Sequence, residues 1–105
     1  MFPETKTFSI IEDDRRAAAE FTQIKDNQYY FNRLIVDRKI RGKGISIRLM
    51  NQVVEWANEN KIEILLDINP YGELDYLQLS HFYERFGFEW KDKENQQMIR
   101  KVKSE

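Results

Sequence analysis

The chain has no cysteine, one histidine and no apolar run approaching the ~20 residues needed to cross a bilayer. Without cysteine there are no disulfides, thiolate zinc sites or cysteine nucleophiles, and a single histidine predicts no metal cluster. A basic excess is missing too. The 17 Lys and Arg residues against 18 Asp and Glu leave a net charge of -1, so no global electrostatic case exists for nucleic acid. Nothing at the start reads as a signal sequence, and a cytoplasmic protein with no membrane association is the expectation. Repeats, linkers and low-complexity tracts are also absent. The 105 residues, 41% of them hydrophobic, predict a single domain over 1–105 with one core.

What is present is a strand that runs into a basic glycine turn and straight on into an amphipathic helix, LIVDRKIRGKGISIRLMNQVVEWA over residues 34–57. Leu34, Ile35 and Val36 read as a buried strand end. Ile45, Leu49, Val53 and Trp56 or Ala57 fall on one helical face, which Met50 and Val54 widen. The first N–H groups of a helix are unpaired and carry partial positive charge, so a glycine turn feeding such an end suits a phosphate. Arg41, Lys43 and Arg48 add full charges. Two common phosphate motifs fail here: there is no P-loop spacing, and the third glycine of the dinucleotide fingerprint would fall at position 47, which is Ile.

Taken in order, a loose start over 1–6 precedes a short strand at 7–12, an acidic-basic turn (Glu12, Asp13, Asp14, then Arg15, Arg16) and a second strand at 17–25. Gln28 to Val36 forms the third strand, with Tyr29, Tyr30 and Phe31 favouring β structure. The long helix ends near Asn58-Glu59-Asn60, with Asn60 expected in the left-handed terminal position. Ile62 to Ile68 is an apolar strand, joined to the third by a parallel crossover. Pro70-Tyr71-Gly72 reads as a loop. Asp75 with Gln78 signals a capped second helix carrying Leu79, Phe82, Tyr83 and Phe86 on one face and stopped by Gly87. Residues 88–91 and 98–102 close the domain as an antiparallel hairpin. The order β-β-β-α-β-α-β-β defines an α+β fold, mostly antiparallel, around a central βαβ unit.

Arg-x-x-Gly-x-small, here Arg41, Gly44 and Ser46, following a strand that ends Leu-x-Val-Asp, resembles the coenzyme A signature of the GNAT-type N-acetyltransferase superfamily. Phe82-Tyr83-Glu84-Arg85-Phe86-Gly87-Phe88 is similar to the Leu-Tyr-x-x-x-Gly-Phe segment of the same family. The ordered pair covers roughly residues 28 to 90. The resemblance implies an acyl-CoA N-acyltransferase-like fold and acetyl-CoA as acetyl donor to a primary amine of a small molecule or protein. It implies that the backbone from Gly42 through Lys43, Gly44 and Ile45 to Ser46 holds the coenzyme diphosphate, with Arg41 positioning the turn. Leu34 and Val36 would flank the pantetheine arm, and the acetyl group would sit near Asn69, where the two parallel strands splay apart. Tyr83 would protonate the departing thiolate, although its place on an apolar helix face is explained equally by core packing. The family order opens with one more strand and two helices that wall the acceptor site, and these have no counterpart here. An open cleft, or a wall from a partner or a second copy in a homodimer, is therefore expected.

No carboxylate on the third strand precedes Asp37, so the sequence assigns no general base; Glu20, Asp67 and Glu73 stay open as alternatives. His81 reads as exposed, Trp56 and Trp90 as packing. Tyr76 stands where relatives often have asparagine, which bears on acceptor geometry. Two other readings compete with catalysis. One is a non-catalytic member of the fold that binds acetyl-CoA or a protein partner; the other is a small nucleic-acid module using Arg38, Lys39, Arg41, Lys43 and Arg48.

Overall fold

In a computed structural model, which describes residues 4–68 and 75–102, six strands form one sheet. The strands are β1 (Thr5–Glu12), β2 (Arg15–Lys25), β3 (Gln28–Val36), β4 (Glu63–Asp67), β5 (Glu89–Asp92) and β6 (Gln97–Arg100), with helices α1 (Ile45–Asn60) and α2 (Tyr76–Glu84). The sheet order is β1-β2-β3-β4-β6-β5, and only β3 and β4 run parallel. This is the mixed, mostly antiparallel α+β architecture expected from the order of elements.

Local chemistry explains the element boundaries. Asp13 and Asp14 both take positive φ, 52° and 61°, the backbone of a two-residue hairpin turn whose twist matches the flanking strands. This turn is tighter than the sequence implied, and Arg15 and Arg16 join β2 instead, with Arg15 opposite Glu12. Asp75 caps α2 by accepting from Gln78 N at 2.9 Å while Gln78 Oε1 accepts from Asp75 N at 3.0 Å. One terminal assignment is corrected. The left-handed residue after α1 is Lys61, φ 54°, whose N–H reaches Ala57 O. Asn60 stays in the last helical turn, its Nδ2 donating to Trp56 O at 2.9 Å.

Both helices pack on one face of the sheet. Tyr29 meets Trp56 of α1 with ring centroids 4.9 Å apart, and Phe31 meets Tyr83 of α2 at 5.9 Å. The main core joins these to Phe21, Met50, Val53, Ile64, Leu66 and Met98. A second cluster of Ile10, Ala17, Ile40, Ile45 and Leu49, with Leu34 and Val36 half-buried against it, seats the amino end of α1. A short 3-10 turn, Arg38–Ile40, was not anticipated from the sequence; it drives Ile40 fully into that cluster, with Asp37 Oδ1 accepting from Lys39 N at 2.9 Å.

The opposite face carries no described helix. Because strand side chains alternate, Tyr30 lies there between Tyr29 and Phe31, as do Leu65 and Asp67 beside the buried Ile64 and Leu66. A row of polar cross-strand bonds runs over it: Gln28 to Glu63, Tyr30 to Asp67, Asn32 to Thr22 and Arg33 to Glu20. The β2–β3 register shifts between Glu20 and Phe21, which leaves Asn32 as the extra residue of a bulge in β3.

Candidate active site at the strand fork

β3 and β4 pair through only three residues each, ending at Tyr30 opposite Leu65. Beyond that pair β3 continues to Val36 alongside β2 alone, so its other edge faces an opening between the two strands. The fork sits between the glycine turn, α2 and the open face.

The glycine turn stands at the far end of β3. Gly42 and Gly44 have φ of 84° and 72°, a region that disfavours any side chain, and a Cβ built on either would meet nothing within 4 Å. Gly44 is also the N-cap of α1, and no side chain caps this end. No side chain therefore accepts from the leading N–H groups of α1. Arg41 ties the turn back to the strand end, its Nε donating to Val36 O at 3.1 Å.

The expected cationic surroundings are altered by a contact the sequence did not reveal. Lys43 Nζ is ion-paired with Asp13, and Arg48 Nη1 lies 3.3 Å from Glu12 Oε1. The acidic hairpin turn thus folds back onto the basic turn. The Asp13 carboxylate, which bonds to the Lys43 ammonium and attracts it, holds that ammonium above its ordinary pKa.

Tyr83 is half-buried on α2, its ring against Phe31, Phe82 and Phe88. Phe31 is the first β3 residue past the last parallel pair, so Tyr83 borders the fork from the helix side. Asn69, Glu73 and the Pro70-Tyr71-Gly72 loop lie outside the described residues. His81 is exposed, and Trp56 is half-buried among Phe8, Phe21 and Tyr29.

Across the sheet from Tyr83, Tyr30 Oη donates to Asp67 Oδ2 at 2.5 Å. Burial first, and then the bonded and charged Asp67 carboxylate, push the Tyr30 phenol up to about 12. The pair went unremarked in the sequence because its members are 37 positions apart.

A family model described as the acetyltransferase (GNAT) domain matches residues 4–90. The chain belongs to the GNAT acetyltransferases. Solved GNAT-like structures share the fold. The PaiA N-acetyltransferase of Thermoplasma acidophilum, in complex with coenzyme A, is 18% identical with a TM-score of 0.71, over 94% of this chain and 62% of that one. An aminoglycoside 6'-acetyltransferase type Ii is 18% identical, TM-score 0.73, over 99% of this chain and 73% of that one. The anti-CRISPR protein AcrVA5 is 21% identical, TM-score 0.66, over 90% of this chain and 96% of that one. The chain therefore spans nearly all of one small neighbour and under two thirds of the Thermoplasma enzyme. No curated protein sequence matches it.

The residues on which the GNAT resemblance rested are spread along β3: Tyr83 packs on Phe31 at the fork, Leu34 and Val36 follow, and Arg41 to Ser46 lie beyond the strand's far end. An uncapped helix end behind two unobstructed glycines has the donors and the clearance that a diphosphate requires. Among the described residues no helix is long and apolar enough to cross a membrane.

Proposed function

We propose that this GNAT protein is an acetyl-CoA-dependent N-acetyltransferase acting on a primary amine. The observation that carries the reading is the uncapped, glycine-lined amino end of α1 at one end of a strand fork that Tyr83 borders at the other. When bound, acetyl-CoA supplies an acetyl thioester. The N–H groups from Gly42 to Ser46 hold its diphosphate, and Arg41 fixes the turn that presents them. Leu34 and Val36, half-buried against the second core cluster, would shape the strand edge offered to the pantetheine arm. The amine reacts in its neutral form, having released one proton to solvent. As its N–C bond forms and the C–S bond breaks, the Tyr83 hydroxyl gives a proton to the departing sulfur; the nitrogen loses its second proton to water, and the phenol regains one from solvent. A phenol hydroxyl can donate a proton to a departing thiolate.

The non-catalytic alternative either keeps the same coenzyme site without turnover or works by binding a protein partner. The nucleic-acid reading is disfavoured, because Tyr29 and Phe31, the rings that would stack with bases, are buried, and Lys43 and Arg48 already hold carboxylates.

Thermal unfolding with and without acetyl-CoA tests the proposal. Ligand at ~100 times its dissociation constant adds about 2.7 kcal/mol, enough to raise the midpoint of so small a domain by several degrees. Gly44→Glu abolishes the shift, and its own unfolding transition without ligand shows that the variant folds. Tyr83→Phe keeps the shift and loses turnover. No shift at millimolar acetyl-CoA sinks the proposal, and a folded Tyr83→Phe with full turnover removes Tyr83 from the mechanism.

A further inference from the structure

The coenzyme site lies on the helix side of the fork and along the strand edge, and it leaves the open face unused. On that face, at the point where β3 and β4 separate, Tyr30, Leu65, Leu66, Asp67, Lys91 and Gln97 line a recess of about 150 Å³. Tyr30, Leu65 and Asp67 face it by strand alternation, and Gln97 stands opposite Asp67 in the β4–β6 register. Lys91 follows the core-packed Trp90 on β5.

The recess contains two opposite charges that do not neutralise each other. Asp67 accepts one hydrogen bond, from the neutral Tyr30 hydroxyl, although a carboxylate has about four acceptor positions. It takes part in no ion pair among the described residues. Lys91 takes part in none either, although its charge acts weakly on the adjacent Asp92 carboxylate. Its neighbour Asp92 is occupied by Asn95, whose backbone N and Nδ2 donate to it at 3.2 and 2.7 Å. A half-buried carboxylate and an exposed lysine border one small, mostly apolar recess, an arrangement that suits a ligand carrying both charges.

We propose that this recess seats the acceptor, and that the acceptor is a primary amine bearing its own carboxylate, an amino-acid-like head group with its nitrogen on Asp67 and its carboxylate towards Lys91. This rests on the N-acetyltransferase reading only in calling the ligand an acceptor; the recess and its charges stand without it. The volume is below the ~300–1,000 Å³ of sites that enclose whole drug-sized ligands, so the head group alone is held and the remainder extends over the open face. Tyr30 is a positioning residue: its hydrogen bond fixes one carboxylate oxygen and leaves the other for the amine. Its high pKa keeps that proton in place through the working range.

Backbone amide chemical-shift titration of the full chain, with coenzyme A absent and then present, tests the seat. The probes are glycine, β-alanine and 4-aminobutyrate, with propylamine and propionate as single-charge controls, each taken to tens of millimolar. At least one aminocarboxylate shifts the amides of Leu65, Asp67, Lys91 and Gln97, and the controls bind about tenfold more weakly, the ratio expected from losing one charge-assisted contact. Asp67→Asn weakens the aminocarboxylates about tenfold or more. Lys91→Gln weakens them and leaves propylamine unchanged. Propylamine binding as well as the aminocarboxylates, an unaltered affinity in Asp67→Asn, or no shifts at the recess with any probe in either state would each overturn the proposal. The acetyl-CoA thermal shift is measured separately and does not depend on Asp67. If it is missing while the recess binds, acetyl transfer falls and the amino-acid seat remains; if it is present while the recess stays silent, the reverse holds.

Discussion

Lys43 reaches the glycine turn already holding a carboxylate, and that single contact changes how the turn meets an anion. Residue by residue, Arg41, Lys43 and Arg48 read as cations around the expected phosphate site. Their partners were not legible, because Asp13 is 30 positions from Lys43 and only the folding of β1 and β2 against the start of α1 brings the hairpin turn there. A diphosphate arriving at Gly42–Ser46 must compete with Asp13 and Glu12 for these side chains. Asp13→Asn should therefore tighten coenzyme A binding a few-fold in low-salt calorimetry. The gain should fade towards high ionic strength, because both ion pairs are exposed and screened. An affinity unchanged at low salt would mean that Lys43 does not touch the coenzyme and that backbone donors alone hold it.

At the level of elements, the features legible in advance were those written in a few adjacent residues. The capping box of Asp75 and Gln78, the Gln28–Val36 strand and the stripe Ile45, Leu49, Val53, Ala57 all depend on local periodicity or on a side chain reaching three positions along the chain. The β3 bulge at Asn32 depends on how β3 registers with β2, which no local pattern specifies. Lys61 is the instructive boundary. Asn60 has the side chain that tolerates left-handed backbone, yet it finds a bond to Trp56 O inside the helix and the turn passes to the next residue. A lysine at φ 54° pays the Cβ strain that glycine avoids. Lys61→Gly should stabilise the protein by about 0.5–1 kcal/mol, allowing for the extra freedom glycine has when unfolded. Urea unfolding would register this as a higher midpoint at constant slope, and a lower midpoint would show that the Lys61 side chain contributes a contact of its own.

At the scale of the molecule, the sheet is two antiparallel triplets, β1-β2-β3 and β4-β6-β5, joined by a parallel seam of three residue pairs. The order of elements announced the seam, but not its shortness: pairing stops at Tyr30, just before the β3 bulge at Asn32, which only the assembled sheet reveals. Something other than backbone pairing must keep the halves together where they diverge. Phe31 has that position: it is 5% exposed, stacks on Phe21 of β2 at 4.5 Å and meets Tyr83 of α2 at 5.9 Å, so its ring ties the first triplet to the helix that leads into the second. On the open face Tyr30–Asp67 and Gln28–Glu63 make the corresponding polar ties. Removing the ring leaves a cavity at the one place where the fork cannot close without moving α2, so little relaxation is available. Phe31→Ala should cost about 3–5 kcal/mol, a large share of the ~5–15 kcal/mol that holds a domain of this size. The loss should appear as a lower urea midpoint. Native-state hydrogen exchange then discriminates between two kinds of molecule. If β4 and β6 lose protection before β2 in this variant, the triplets are separable units with the candidate site at their joint; if all strands lose it together, the seam holds the sheet as one cooperative body and the fork is a fixed slot.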